Sequence, residues 1–276
     1  TLQNLDNLGR LTIETPKTVV NLQLEDNLWR VMEIGNYYAG YRQINNLFND
    51  FADARIYRRR GPATDADEKK FGLDDNAFRV ITRDAGGRIL NTVLIGKAAA
   101  DNLYHFARIE GEKDVFLITG NFSFPETAVS WLQQPLLSLS PTDIRSLKID
   151  HETAVRPDII VPFRIKGKQA VPDISRYLNA LGFVAAYDVR RGADFDRLQF
   201  SAPKSLTVTT FDGLVVTIEV YGRTGEEYWA SLKFSTTTLP TTAVNDYIKS
   251  SAFLYEGWYF RLAPDVGRIL FNAFIQ

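Results

Sequence analysis

Apolar and polar residues alternate along much of this chain, and a period of two residues is typical of strands with one buried face. The alternation predicts a first hairpin that includes Leu11 and residues 19–24 and turns at Pro16-Lys17. It predicts a second hairpin from residues 78–82 and 89–95 around an aspartate-glycine turn. Helical spacing replaces the alternation at Tyr41, Ile44, Leu47, Phe48 and Phe51, and again at Val171, Ile174, Leu178 and Leu181. These patterns predict a chain rich in strands, with an amphipathic helix in each half.

The order of these patterns occurs twice. The first half starts with a strand at Gly9, reaches a helix and then Arg58-Arg59-Arg60-Gly61, and continues through a polar stretch to three strands. The second half starts with a strand at Ile144 and passes in the same order through Arg190-Arg191-Gly192 to three strands. This repetition predicts an internally duplicated α+β fold with mostly antiparallel sheets, each with a packed helix. We place the first repeat at residues 1–143 and the second, which adds a C-terminal strand and helix, at residues 144–276.

Four less regular segments receive specific predictions. Residues 62–75 are polar, with proline and glycine near their ends, and are predicted to form an exposed loop. The segment Ser140-Pro141-Thr142-Asp143 combines a capping hydroxyl, an early proline and an acid, which predicts one turn of helix. Residues 159–165 and 183–189 are predicted to be strands.

Composition and charge narrow the possible functions. The 276 residues carry a formal charge of −1, so the chain has no net field to attract nucleic acid or an anionic membrane. The absence of cysteine excludes disulfides, cysteine nucleophiles and zinc-thiolate sites. No run of about 18 apolar residues is present to span a membrane. Because residue 1 is threonine, we expect that a signal or anchor segment could have preceded it.

No catalytic or metal-binding motif is recognisable. His105 and His151 are the only histidines, and no HxH or HExxH spacing occurs, so we assign both a structural or surface role. A cluster of acids begins like a calcium loop, but Lys69 and Lys70 take a ligand position and the glycine position. The cluster consists of Asp65, Asp67, Glu68, Asp74 and Asp75. We therefore predict no metal, no cofactor and no enzymatic activity.

Two groups of residues are candidates for binding a partner. The basic group lies at the ends of corresponding segments in the two halves. It consists of Arg58, Arg59, Arg60, Arg190 and Arg191. It could form a docking patch for an acidic partner, or it could be a set of exposed strand or helix ends paired with nearby acids. The aromatic group consists of Tyr37, Tyr38, Tyr41, Trp258 and Tyr259. It could line a ligand groove, or its members could be core and rim residues.

Several segments, in their order and spacing, resemble the bacterial family of unknown function DUF4340. They include Phe71-Gly72-Leu73-Asp74, Leu94-Ile95-Gly96-Lys97, the strands around Tyr104 and Val115, Trp131-Leu132, residues 136–139 and 144–147, and the closing Gly257-Trp258-Tyr259-Phe260. The resemblance implies a periplasmic or extracellular location behind an N-terminal membrane anchor, which we expect on a segment outside this sequence. It also implies an association with ABC-transporter permease and ATPase components, and it supplies no catalytic residues.

These observations lead to two functional hypotheses. The first is an extracytoplasmic accessory or scaffold subunit of an ABC-type membrane system, which acts through protein contacts at a strand edge or at the arginines. Its partner would be a membrane protein, with no role for nucleic acid. The alternative is a periplasmic binding module that holds a glycan, lipid or peptide in a cleft between the repeats. The sequence does not determine the oligomeric state.

Overall fold

The chain forms two compact units, Thr1–Gln133 and Gln134–Gln276. The computed structural model describes residues 7–99, 103–120, 122–166, 174–196, 198, 200, 202–223 and 225–272. The boundary between the units therefore lies before residue 143, where the sequence pattern places the end of the first repeat.

The elements of the first unit, in chain order, are β1 (Leu8–Glu14), β2 (Val19–Glu25), β3 (Leu28–Val31), β4 (Tyr37–Tyr38), α1 (Tyr41–Asp53), β5 (Ile56–Pro62), α2 (Asp65–Phe71), β6 (Phe78–Asp84), β7 (Ile89–Ala98), β8 (Tyr104–Ile109), β9 (Asp114–Thr119) and a short 3-10 helix (Ala128–Trp131). The elements of the second unit are β10 (Ile144–Ile149), β11 (Glu152–Val155), β12 (Arg164–Ile165), α3 (Ser175–Gly182), β13 (Asp188–Arg191), α4 (Gly192–Asp196), β14 (Lys204–Thr210), β15 (Leu214–Arg223), β16 (Glu227–Thr236), α5 (Thr242–Ser251), a 3-10 helix (Ala252–Leu254), β17 (Trp258–Arg261) and α6 (Pro264–Phe271). The hairpins around β1–β2 and β6–β7 and the helix α1 confirm the predictions from alternation and helical spacing.

The two sheets have the same strand order, which confirms the internal duplication. The first sheet runs β4-β3-β2-β1-β6-β7-β8-β9-β5, and the second runs β12-β11-β10-β14-β15-β16-β17-β13. When β4 is set aside, each strand of one sheet has a counterpart at the same place in the other. In both sheets the strand that follows the first helix, β5 or β13, pairs antiparallel with the last strand of the meander and forms an edge. The fold is therefore α+β, as predicted.

Buried strand residues and one helix form the core of the first unit. The register places Ile13 opposite both Val20 and Val80, and all three side chains are inaccessible to solvent. The helix α1 buries Ile44, Leu47 and Phe51, as its helical spacing predicts. Full burial of each such side chain stabilises the fold by about 1.5–3 kcal/mol.

The prediction of an exposed loop at residues 62–75 is wrong, because this segment contains the helix α2. Thr64 and Asp67 form a reciprocal capping box at its start, and Gly72 ends it in the left-handed conformation with φ 68°. The ring of Phe71 stacks on Phe106 of β8 with ring centroids 4.2 Å apart. A helix of two turns with one anchoring aromatic residue has too few apolar positions to show a helical period.

The second unit has a counterpart of this helix, which the sequence analysis did not predict. The short helix α4 places Phe195 over the sheet, where its ring stacks on Tyr259 at a centroid distance of 3.9 Å. Phe195 also packs against Trp229 of β16, at 5.9 Å. Both units therefore cover the meander with an aromatic side chain from a short helix that follows the edge strand.

Two strand predictions are corrected in the second unit. The strand predicted over residues 159–165 is reduced to Arg164–Ile165, and the one predicted over residues 183–189 begins only at Asp188. The helical turn predicted at Ser140 is a hydrogen-bonded turn, in which the Asp143 N–H donates to the Ser140 carbonyl at 2.9 Å.

The side chain of Arg156 holds the turn at Ser140 and the turn that replaces the strand predicted from residue 159. Arg156 is only 8% exposed. Its guanidinium donates hydrogen bonds to the carbonyl oxygens of Ile144 (2.8 Å), Ile159 (3.0 Å) and Thr142 (3.0 Å). The guanidinium carbon also lies 4.5 Å from the ring centroid of Phe163. Because one planar group binds carbonyls from both segments, the chain is held in turns before and after the β10–β11 hairpin.

Candidate functional site

The basic residues singled out in the sequence lie on equivalent edge strands of the two units. Arg58, Arg59 and Arg60 are exposed residues of β5, and Arg190 and Arg191 are exposed residues of β13. Each of these strands forms the edge that lies beside the last strand of its meander. The duplication therefore repeats both the strand and its basic side chains.

Several of these arginines are held by groups on their own unit. The Arg59 Nε donates to Asp114 Oδ2 at 2.7 Å, and the Arg190 Nη2 donates to Asp188 Oδ2 at 3.0 Å. The guanidinium of Arg191 lies 4.4 Å from the centroid of the Trp258 ring. Exposed ion pairs of this kind contribute only about 0–1 kcal/mol, so a partner carboxylate could replace an internal one at little cost.

The outer edges of both sheets are poorly suited to the addition of another strand. At one edge of each sheet lies a strand of only two residues, β4 or β12. At the opposite edge of the second sheet, β13 has four residues. The longest edge strand, β5, has register irregularities before Arg58 and before Gly61. Short, bulged and charged edges disfavour strand pairing between molecules, so contacts at β5 and β13 would be made by side chains.

The aromatic candidates divide into core and surface residues. Tyr37 is 1% exposed and Trp258 is 2% exposed, so both are core residues. Tyr38 lies under the guanidinium of Arg30, at 4.6 Å. Tyr41, at the start of α1, is 75% exposed. Tyr37, Tyr38 and Tyr41 belong to the first unit, and Trp258 and Tyr259 belong to the second.

Trp258 and Tyr259 also line a groove inside the second unit, with a cavity volume of about 590 Å³. It lies beside β16 and β17, and its lining includes Glu219, Ser231, Lys233, Phe234 and Glu256. We call it the β16 groove. Sequence reasoning missed it because Glu219, Ser231 and Lys233 have the spacing of an ordinary solvent-facing side of a hairpin.

A small polar network lies at this groove. The hydroxyls of Tyr221 and Ser231 both donate to Glu219 Oε2, at 3.2 Å and 3.3 Å. Burial, together with the neighbouring Glu219 carboxylate, raises the pKa of Tyr221 above its ordinary value. No Lys or Arg among the described residues forms an ion pair with Glu219.

The histidines and the acidic cluster have structural surroundings. The His105 Nδ1 lies 3.3 Å from the Gly96 carbonyl oxygen, and His151 is exposed in the turn after β10. Hydrogen bonds from Thr64 lower the pKa of Asp67, and hydrogen bonds from Asn76 lower the pKa of Asp74. Within the described ranges, no three His, Asp or Glu side chains are grouped as metal ligands would be.

None of the helices in the described part of the chain is both long enough and apolar enough to cross a lipid bilayer. The sequence model of a domain of unknown function, DUF4340, matches residues 29–171, which is more than half of the chain. The match begins within β3 and extends past β12, so it includes parts of both units. No curated protein and no solved structure matches the chain.

Proposed function

The chain belongs to the DUF4340 family, and on that premise we propose that it is a non-catalytic accessory subunit of an extracytoplasmic ABC-type membrane system. It would act by binding a membrane-protein partner through the arginines of β5 and β13. The observation that carries this proposal is the presence of exposed arginines on the equivalent edge strand of each unit.

The chemistry of these edges suits an acidic protein surface. A guanidinium presents its donors in a planar fork that matches a carboxylate, and charge-assisted hydrogen bonds of this kind are stronger than neutral ones. Because the edges disfavour strand addition, recognition would depend on side chains and therefore on charge. A partner that engages both edge strands would gain affinity through the effective concentration of the second contact.

The location and tethering in this proposal rest on the family resemblance. An anchor that precedes the residues described here would hold the protein at the outer side of the membrane. Permease components of the ABC-type system would then lie within reach, and they are the proposed partners.

The test is a pair of charge reversals in the full-length, membrane-anchored protein. We expect Arg59→Glu combined with Arg190→Glu to leave thermal melting nearly unchanged, because the ion pairs it removes are exposed. We expect the yield of co-purified membrane partner to fall by about tenfold or more, since two charge-assisted contacts would be lost.

The matched control reverses the charge of one exposed arginine in each unit, at positions that are not on an edge strand. The two changes are Arg10→Glu on β1 and Arg145→Glu on β10. This variant carries the same change in net charge and should retain the partner. If the edge variant and the control give equal yields and equal melting temperatures, the arginines of β5 and β13 do not bind the partner.

A further inference from the structure

The groove in the second unit arises because two neighbouring strands separate. The strand β15 pairs with β16 along its whole length, from Glu227 to Thr236. On the other side of β16, the strand β17 pairs only at Trp229 and Ala230. Beyond this point Tyr255, Glu256 and Gly257 line the other side of the β16 groove, and among the described residues no main-chain hydrogen bond joins these three to β16.

Main-chain groups of β16 face this space. The Tyr228 carbonyl accepts a hydrogen bond from the Leu262 N–H at 2.9 Å, whereas the Thr237 N–H donates to Gly213 on the β15 side. Because the direction of main-chain groups alternates along a strand, Phe234 directs its N–H and C=O to the same side as Tyr228.

No group among the described residues hydrogen-bonds to the Phe234 main chain from that side. Phe234 itself is 9% exposed, and buried main-chain groups are almost always hydrogen-bonded in folded proteins. The β16 groove therefore presents an unpaired donor and acceptor from the interior of the sheet, unlike the short or bulged strands at its outer edges.

The side chains beside these groups include two carboxylates and one ammonium group. Glu219 lies directly opposite Ser231 in the register of β15 and β16, and its Oε2 already accepts two hydroxyl donors. Ser231 is short, so a long side chain on a strand next to β16 could extend across it to Glu219. Glu256, which is exposed, adds a second carboxylate, and Lys233 is the single cation among the described lining residues.

We propose that the β16 groove binds an extended segment of a partner protein, which adds as a strand to β16 and pairs a lysine or arginine with Glu219. Its main chain would satisfy the Phe234 N–H and C=O, which is the general basis of peptide recognition by strand addition. Its cationic side chain would neutralise a carboxylate that has no cationic partner in the described part of the chain. This site is separate from the arginines of β5 and β13 and does not depend on them.

The test uses three synthetic peptides with capped termini and alternating valine and threonine. The first has lysine at its centre, the second has glutamate there, and the third is the lysine peptide with N-methyl groups on alternate amides. In NMR titrations, we expect the lysine peptide to bind saturably and to slow hydrogen exchange of the Phe234 amide by about tenfold or more. The other two peptides should bind at least about tenfold more weakly, because one loses the charge pair and the other loses main-chain donors.

Variants separate the two parts of the proposal. Glu219→Gln should remove the preference of the protein for the lysine peptide over the glutamate peptide. The control Glu110→Gln, at an exposed position in the first unit, should keep this preference. The Arg59→Glu, Arg190→Glu protein should bind the lysine peptide unchanged, so failure of the partner-docking proposal is distinguishable from failure of this one.

Three results would overturn the assignment. One is equal binding of the lysine and N-methylated peptides. Another is the absence of saturable binding of the lysine peptide at millimolar concentration. The third is a homodimer in analytical ultracentrifugation whose Phe234 amide is protected without peptide, because a second copy of the chain would then fill the groove.

Discussion

Gly96 in β7 lies against the main-chain carbonyl of Phe71, the last residue of α2, so that a methyl group added to Gly96 would stand 2.3 Å from that oxygen. Both residues belong to the segments that carry the family resemblance. Gly72 turns the chain at the end of α2, and Gly96 provides the space into which that end packs. The two glycine-containing segments, which are far apart in the sequence, thus form a single packing contact.

This contact predicts the effect of a small substitution. Gly96→Ala should destabilise the protein by about 1–3 kcal/mol, because α2 or β7 must move to remove the overlap with the Phe71 carbonyl. Urea denaturation followed by circular dichroism measures the change. The control is Gly182→Ala in α3, where the nearest atom to an added methyl group is 4.0 Å away and stability should be unchanged or slightly higher. Equal stability of the two variants would contradict the packing explanation.

The buried guanidinium of Arg156 predicts that lysine cannot replace it. Arg156→Lys retains the charge but loses the planar fork that reaches the carbonyls of Ile144 and Ile159. Each carbonyl left unsatisfied costs about 1–3 kcal/mol, so the free energy of unfolding should fall nearly as far as in Arg156→Ala. Thermal and urea denaturation measure this. Arg145→Lys, at an exposed neighbouring position, should change stability by less than about 0.5 kcal/mol. A stable Arg156→Lys protein would show that the charge alone organises the turns.

The capping box of α2 predicts a pH-dependent effect at Asp67. The Thr64 hydroxyl is the main cause of the lowered pKa of Asp67, followed by the Thr64 main-chain N–H. A lowered folded-state pKa means that the ionised carboxylate stabilises α2 above the unfolded-state pKa, and that this contribution is lost as the pH falls through the folded-state value.

Thr64→Ala removes the hydroxyl and should raise the pKa of Asp67 towards its ordinary value, as measured by NMR titration of the carboxyl carbon. The part of the α2 stability that is lost on acidification should then be smaller, because the folded-state and unfolded-state pKa values of Asp67 would lie closer together. Thr127→Ala, which removes an equivalent cap from the 3-10 helix at Ala128, should leave Asp67 unaffected. An unchanged Asp67 pKa in Thr64→Ala would exclude the cap as the cause.

Local sequence patterns were sufficient to predict the hairpins, the helix α1 and the duplicated order of elements. A strand that buries Leu11 and Ile13 and exposes Arg10 needs only alternation to be recognised. Two short helices were not predicted, because α2 and α4 each depend on one aromatic anchor, Phe71 or Phe195, whose partner lies on a distant strand. The turn at residues 158–161 was also missed, since the Arg156 guanidinium that binds the Ile159 carbonyl also binds the Ile144 carbonyl, from a segment separated along the chain.

The sequence by itself determined that basic residues recur at Arg58 and Arg190 in matching order, because the order of patterns is a property of the chain. Only the tertiary structure decided that these residues lie on sheet edges, since the pairing of β5 with β9 and of β13 with β17 joins strands distant in the sequence. The β16 groove was likewise decided by tertiary structure. The alternation around Glu219 and Ser231 specifies which face each side chain occupies, but it carries no information about where β17 leaves β16. That separation depends on long-range hydrogen bonding, and it leaves the Phe234 main chain without a hydrogen-bond partner on the β17 side among the described residues.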